Sequence, residues 1–207
     1  MKNSVEELVA KAYEYFPKGM TPSDPGYDQT PEMLRQKGVR APVTAQYETW
    51  RSMMKRLEAR FPPDQFPGVD VRYYCFFLQD ATVGHPWDRC FSGEVGLPVR
   101  VPKESRRTLD FFVSFIVPYY AFRSTAYLFN GQLTRKGEPD VDAEVSFVLT
   151  PDELPFAEAI AAEVEATFPG HEPMPPEVGL TIVPDVVAGR GWFGEATLFG
   201  CLFSDSM

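Results

Sequence analysis

The sequence predicts an α+β domain with a mainly antiparallel sheet and helices packed on one face of that sheet. Apolar residues recur with a helical period in the N-terminal part of the chain, and from Val69 onward the period changes to two. Strands do not alternate regularly with helices, which disfavours a doubly wound parallel sheet. Because no repeat or flexible linker divides the chain, we expect one domain over residues 1–207, with a helical part at 1–63 and a sheet-rich part at 69–207.

Helix signals occupy the first part of the chain. Ser4 and Glu7 have the spacing of a capping box, which opens a helix that ends at Pro17. A Thr-Pro pair opens a second, short helix over residues 30–38. After Pro42 the spacing of the apolar residues alternates between four and three, which predicts a five-turn helix with one buried stripe. The stripe consists of Val43, Tyr47, Trp50, Met54, Leu57 and Phe61.

Period-two patterns rich in β-branched and aromatic residues predict the strands. They cover residues 71–78, 109–117, 119–129, 144–149, 180–187 and 195–203. The pair Asn130-Gly131 predicts a type I′ hairpin turn. Thr150, with a proline after it and Glu153 three positions later, predicts a capped helix that runs to Phe168. Its inner face is expected to hold Ala157, Ile160, Ala161, Val164 and Phe168.

The composition indicates a compact protein that can bury a core. Apolar residues make up 44% of the chain and aromatic residues 14%, which excludes disordered, collagen-like and coiled-coil classes. No apolar run approaches the roughly 20 residues that a membrane helix needs, and three glutamates stand where a signal peptide would be apolar. Three cysteines without a C-x-x-C spacing fit a reducing compartment. We therefore expect a cytoplasmic protein that uses no membrane.

The glycine-rich segment at residues 189–194 matches G-x-G-x-x-G, the pattern of a dinucleotide site. Such a site needs the loop to open a helix within a βαβ unit, with an acid about 20 residues later. Only 13 residues follow the segment, and they have a strand pattern. We therefore interpret the glycines as turn residues beside Trp192.

No pattern typical of a nucleophile elbow, a zinc protease or a P-loop is present. The alternative enzyme hypothesis is a small hydrolase that pairs Cys90 with His85 or His171, because such partners need not be neighbours in sequence. Cys75 and Cys201 lie in strand patterns and are interpreted as small buried residues. We expect no catalytic residue, no metal and no cofactor.

Carboxylates beside strands could in principle serve as catalytic acids. Asp110 and Asp185 are two of them, but a structural role is the simpler expectation. Such a carboxylate can cap a neighbouring turn or pair with one of the arginines Arg106, Arg107 and Arg123. The number of acids alone does not select a catalytic pair. An enzyme hypothesis therefore has no motif to support it.

The charges are distributed unevenly. The chain has a net charge of -9, and residues 138–189 contain 12 acids and no Lys or Arg. This stretch disfavours direct nucleic-acid binding, because phosphate contacts need positive charge. A basic protein partner would be attracted to it. The alternative that the acids only keep the protein soluble remains open.

Five segments, read together, resemble a known family. They are residues 15–19 (YFPKG), residues 27–32 (YDQTPE), Trp50 on the long helix, residues 109–115 (LDFFVSF) and residues 196–205 (ATLFGCLFSD). In these the chain resembles the immunity proteins of bacterial polymorphic toxin systems, and it is similar in particular to a family of α+β immunity proteins that accompany toxins of restriction-endonuclease fold. The resemblance implies a cytoplasmic antitoxin that binds one cognate nuclease toxin. It carries over no catalytic residue and no toxin-contacting position.

The acid-only stretch supplies the candidate toxin-binding residues. A nuclease presents Lys and Arg to phosphates, so an inhibitor that covers that surface benefits from an acidic face. The candidates around a predicted hairpin connection and at the following helix start are Glu138, Asp140, Asp142, Glu144, Asp152 and Glu153. Capping can occupy one or both of the last two. An adaptor or structural module is a third hypothesis, which a scattered arrangement of the acids would favour.

Overall fold

The structure is a computed structural model that describes residues 2–62, 64–74, 89–98, 104–133, 139–189 and 191–204. The helices are α1 (Val5–Tyr13), α2 (Pro31–Gly38), α3 (Arg40–Arg60), α4 (Leu154–Thr167), α5 (Pro176–Gly179) and α6 (Leu198–Leu202). The strands are β1 (Asp70–Tyr74), β2 (Cys90–Leu97), β3 (Glu104–Ser114), β4 (Tyr119–Leu133), β5 (Pro139–Ser146) and β6 (Glu172–Pro173). The α+β class predicted from the sequence is confirmed.

The first helices begin where local sequence signals place them. The hydroxyl of Ser4 accepts a hydrogen bond from the backbone N–H of Glu7 at 3.2 Å, and the Glu7 carboxylate accepts one from the Ser4 N–H at 2.8 Å. This confirms the capping box of α1. The Thr30 hydroxyl caps α2 in the predicted way. α3 begins two residues before Pro42, because a proline in the first turn of a helix loses no intrahelical hydrogen bond.

Five strands form the sheet in the order β1-β2-β3-β4-β5, and every neighbouring pair is antiparallel. β6 pairs in parallel with Tyr119 and Tyr120 of β4, whereas the pairing of β5 with β4 begins at Ser124. Residues 121–123 of β4 therefore lie in a gap between β5 and β6. Among the described strands, β5 has β4 as its only neighbour and forms an edge of the sheet.

Alternate side chains of the central strands point to opposite faces of the sheet. Leu109, Phe111 and Val113 of β3 lie in one buried cluster with residues of α3 and α4. Phe112 lies in a second cluster with residues of α1 and α6. The two long helices thus cover one face, as the sequence predicts. The N-terminal helix and the C-terminal segment with α6 add a layer on the other face, which the prediction of helices on one face does not include.

Trp50 is the centre of the cluster beneath α3. Its side chain is 0% exposed, and its ring stacks on Phe91 with centroids 4.8 Å apart and contacts Phe111 at 5.7 Å. A Cβ at Gly93 would lie 2.6 Å from the Phe111 ring. Glycine at this position therefore makes the space in which the Phe111 ring meets Trp50.

The sequence does not predict β2, although this strand lies between β1 and β3. Ser92, Gly93 and Gly96 interrupt its apolar pattern. Residues of this kind weaken a strand when it is considered alone. The strand is held by its pairing with both neighbours, which is a non-local property.

The prediction of two closing strands at the C-terminus is wrong. An isolated bridge between Ile182 and Thr197 remains, and residues 198–202 form α6. The Thr197 hydroxyl accepts a hydrogen bond from the N–H of Gly200 at 3.0 Å and so caps this helix. All five residues of α6 are buried. A short, continuous apolar run does not distinguish a buried strand from a buried helix.

The predicted hairpin turn at Asn130-Gly131 is also wrong. β4 continues to Leu133 and β5 begins at Pro139, so the connection lies in residues 134–138, outside the described residues. Gly131 has a φ of 87°, and the register of β4 with β5 shifts between Phe129 and Leu133. Gly131, whose backbone is in the left-handed region, thus lies at an irregularity within β4.

We expect the substitution Trp50→Ala to lower the free energy of unfolding by about 3 to 5 kcal/mol, because it removes a fully buried ring and leaves a cavity. Urea unfolding followed by circular dichroism measures this loss. Trp192→Ala is the matched control, since Trp192 is 74% exposed, and we expect it to change stability by less than about 0.5 kcal/mol. Equal losses in the two variants would contradict the position of Trp50 in the core.

Candidate functional site

The described part of the acid-rich stretch begins in β5, an edge strand of the sheet. Residues 142–146 of β5 are all exposed, although their side chains alternate between the two faces. Neither helical layer covers this part of the strand. In this region β5 therefore presents both faces and its outer edge to solvent.

The strand register fixes the direction of the β5 acids. Glu144 lies opposite Ala126 of β4, and Asp142 is two residues further on the same face. On that face of β4 the next residue is Ser124, whose hydroxyl donates a hydrogen bond to Glu153 at 2.5 Å. Glu153 directly precedes α4. Asp142 and Glu144 therefore lie on the face that α4 covers, toward the N-terminal end of that helix.

Glu153 is 0% exposed and connects β4 to the turn before α4. Its carboxylate accepts hydrogen bonds from the Ser124 hydroxyl at 2.5 Å and from the N–H of Thr150 at 2.7 Å. Arg107 lies 3.8 Å from the same carboxylate. The Thr150 contact is one half of the predicted capping box, but α4 begins at Leu154 with Glu153 at its N-cap, so the prediction of Thr150 as the N-cap is wrong. Glu153 leaves the set of candidate contact residues, whereas Asp152 beside it is exposed.

We call the exposed carboxylates Asp142, Glu144 and Asp152 the acidic edge. The structure places all three on the β5 side of α4 or in the turn that leads into it. Asp140 belongs to β5 as well. Glu138 lies outside the described residues. The acidic edge therefore unites three of the six acids that the sequence nominates.

Other acids of the same stretch have structural partners. The bonded groups are the carboxylate of Glu163 with Arg56 at 2.8 Å, that of Glu165 with the Tyr120 hydroxyl at 2.7 Å, and that of Glu172 with the Lys2 N–H at 2.6 Å. Glu158, Glu177 and Asp185 are exposed at other places on the surface. Some carboxylates of the acid-only stretch thus make contacts within the fold, and others are exposed at one edge of the sheet.

An apolar cleft of about 350 Å³ adjoins the C-terminal end of β5. It lies at the gap in the sheet edge, between residues 121–122 of β4, residues 147–149 after β5 and the proline-rich residues 173–176. Val148 in its rim is 72% exposed and Leu154 is 45% exposed. Exposed apolar side chains beside a concave surface are typical of interaction sites. The sequence could not reveal this cleft, because three distant segments form it.

A larger cleft of about 550 Å³ contains His171, with Tyr15 and Arg35 in its lining. The two ring nitrogens of His171 lie 3.2 Å from the backbone carbonyl oxygens of Phe168 and Ser114. Both carbonyls are hydrogen-bond acceptors, so a neutral imidazole, which carries one N–H, donates to only one of them. That hydrogen bond anchors the ring to the backbone.

The two described cysteines are buried. Cys90 lies in the hydrophobic cluster of the second sheet face, and Cys201 is 0% exposed in the same cluster. Burial raises the pKa of the Cys201 thiol to about 12, against a smaller lowering by Arg89. Cys75 and His85 lie outside the described residues. The hydrogen-bond partners that the structure gives for the ring nitrogens of His171 are both backbone carbonyls.

Asp110 has a structural role. Its carboxylate accepts hydrogen bonds from Arg123 at 2.9 and 3.0 Å, from Thr125 at 3.0 Å and from Thr108 at 2.9 Å. Of the three arginines that the sequence offers as partners, Arg123 is the one that pairs with Asp110. Within the part of the chain that the structure describes, no group of three or more His, Cys, Asp or Glu side chains is placed to hold a metal ion.

The first and last glycines of the glycine-rich segment are turn residues, as predicted. Gly189 and Gly194 have φ angles of 64° and 83°, which glycine adopts without strain. Trp192 and Phe193 between them are exposed. The segment does not open a long helix, since α6 begins only at Leu198 and has five residues.

The variant Glu153→Ala tests the buried carboxylate. We expect a loss of about 1 to 3 kcal/mol in the free energy of unfolding, because the Ser124 hydroxyl and the Thr150 N–H lose their acceptor in a buried place. Glu158→Ala, in the following helix, is the exposed control, and its loss should stay below about 0.5 kcal/mol. If chemical denaturation gives the same value for both, Glu153 has no special role in the turn.

The thiol of Cys201 should resist alkylation by iodoacetamide at pH 8 in the folded protein and react once the protein is unfolded. Its thiolate is suppressed because the folded-state pKa is about 12, above the ordinary value of 9.0. By the same linkage, the unfolded state ionises first, so this group weakens the folded state as the pH rises above about 9. Mass spectrometry of the alkylated peptides measures the reaction. Rapid labelling of Cys201 in the native protein would refute its burial.

No helix among the described residues is long and apolar enough to cross a membrane. No family model, no curated protein and no solved structure matches this chain. The functional argument therefore starts from the acidic edge and the apolar cleft beside it.

Proposed function

We propose that this chain is an immunity protein that binds and neutralises a cognate toxin, a nuclease, by stoichiometric association through the acidic edge. The proposal is carried by one observation above all. Asp142 and Glu144 are exposed in an edge strand, within the stretch 142–146 that neither helical layer covers. The protein acts by binding and not by catalysis, and it meets its toxin in the cytoplasm.

Charge complementarity supplies the mechanism. A nuclease must present Lys and Arg to the phosphates of its substrate. An inhibitor whose carboxylates meet the same side chains competes with the nucleic acid for that surface. Long-range attraction between the two surfaces also raises the association rate, by about 10 to 1000 fold in steered complexes. Rapid capture is an advantage when the free toxin is lethal.

The local charge balance favours this mechanism. Arg107 lies on the same side of the sheet as the acidic edge, since it is paired with Ala126, the residue opposite Glu144. Its guanidinium lies 3.8 Å from the buried Glu153 carboxylate. That carboxylate offsets the positive charge of Arg107. Arg107 therefore adds no uncompensated positive charge beside the exposed acids.

A role limited to solubility explains less of the surface. Charged side chains on an edge strand do prevent sheets from associating edge to edge. Such protection gives no reason for an apolar cleft next to the strand, or for the exposure of Val148 at its rim. Acids beside exposed apolar groups are the combination expected at the polar rim and apolar centre of a protein interface.

The test uses the protein encoded by the reading frame next to this gene, because immunity genes stand beside their toxin genes in the family that the chain resembles. We expect expression of that protein to arrest growth, and co-expression of this chain to restore it. The purified pair should form a complex of defined stoichiometry in light scattering. Growth arrest that this chain does not relieve would contradict the proposal.

The double variant Asp142→Lys/Glu144→Lys should slow association with that partner by about tenfold or more, and the difference should shrink between about 50 and 500 mM salt as the Debye length falls roughly threefold. The matched control is Glu58→Lys/Asp64→Lys, which changes the net charge equally at two exposed positions in and after α3. Stopped-flow fluorescence measures both rates. Equal rates for the two variants would exclude the acidic edge as the binding surface.

A further inference from the structure

We infer that the edge of β5 binds an extended, basic segment of the partner as an added strand, and that an apolar side chain of this segment enters the cleft at the end of β5. The inference rests on the proposed function for the identity of the partner. It goes further because it specifies the mode of binding and the sequence character of the bound segment.

The first argument is the open edge. β5 is an eight-residue strand with β4 as its neighbour on one side. Residues 142–146 are exposed, so the backbone groups on their outer side face solvent. A strand added to such an edge gains affinity from main-chain hydrogen bonds and specificity from alternate side chains.

The second argument is the alternation along β5. Asp142 and Glu144 lie on one face of the strand, and Ala143 and Val145 lie on the other. Side chains directly opposite each other on paired strands interact most strongly. A segment in which cationic and apolar residues alternate therefore matches both faces at once.

The third argument is the position of the cleft. It begins at residues 147–149, directly after β5, so a segment that follows the edge of β5 reaches it. Phe147 packs on Phe199 with centroids 4.8 Å apart, and Met174 donates a backbone hydrogen bond to Tyr120 at 2.8 Å, which holds the walls in place. An apolar or aromatic side chain suits this lining.

The negative charge of β5 determines which kind of segment can bind at its edge. A second copy of this chain, paired edge to edge through β5, would bring Asp142 and Glu144 of both copies together, and like charges on paired strands are destabilising. An acidic segment meets the same repulsion. A cationic segment of another protein gains instead of losing electrostatic energy at this edge.

The probe is the synthetic peptide acetyl-Phe-Lys-Val-Lys-Val-Lys-Phe-amide, which has the proposed alternation in either strand direction. Titration into the ¹⁵N-labelled full chain should shift the amide resonances of residues 139–149 and 121–123. A peptide of the same sequence with methylated Lys and Val backbone nitrogens retains its side chains and charge but loses the strand donors. We expect it to bind about tenfold more weakly or worse.

Two further measurements separate the contribution of the cleft from that of the acids. A peptide with alanine in place of both phenylalanines should bind about tenfold more weakly, because it leaves the cleft empty. The Asp142→Lys/Glu144→Lys variant should lose the parent peptide, whereas Glu58→Lys/Asp64→Lys should retain it.

The inference is overturned if the methylated peptide binds as tightly as the parent, if the shifts map elsewhere, or if no peptide binds at millimolar concentration. Rescue of growth by this chain does not depend on the peptide. Failure of strand addition is therefore distinguishable from failure of the immunity proposal.

Discussion

The pairing register of β3 with β4 determines which side chains each face of the sheet presents. Phe111 is paired with Phe122 and points to the helical layer of Trp50, whereas Asp110 is paired with Arg123 on the opposite face. A slip by one residue would turn every side chain of a strand to the other face and would bring Asp110 into the apolar core. The register of β4 with β5 then carries this choice to the edge, where Glu144 lies on the side of α4. The packing of the core and the direction of the acidic edge are thus consequences of one alignment.

Local signals predicted the parts of the fold that local interactions decide. The capping box at Ser4 and the apolar stripe through Trp50 place α1 and α3 correctly, because each depends on residues within a few positions of one another. Local signals did not predict β2, because Gly93 interrupts its apolar pattern. Glycine is needed there since the ring of Phe111, a residue of the neighbouring strand, occupies the space of a side chain. The strand predicted over residues 195–203 contains the helix α6 instead. The sequence did not indicate this helix, because a segment that is buried on all sides shows no contrast between an apolar and a polar face.

The candidate site likewise has features that the sequence predicts and features that it does not. The acid-only composition of residues 138–189 is visible in the sequence, and so is the capping spacing that assigns Glu153 to the turn before α4. The sequence does not reveal that β5 ends the sheet, since the position of a strand depends on the pairing of the whole chain. The apolar cleft is equally non-local, because β4, the residues after β5 and the segment at 173–176 form it together. Within the run of acids, Asp142 and Glu144 are the ones that the structure shows exposed on an edge strand.

The central claim is that a basic partner meets this protein at the edge of β5. Amide hydrogen exchange of the chain, alone and in complex with the protein encoded beside it, tests this claim most directly, because exchange reports which backbone groups binding protects. The account predicts that slowed exchange is concentrated in residues 139–149. Unchanged exchange in β5, with protection centred on the exposed face of α3 or on the turn that contains Trp192, would contradict it.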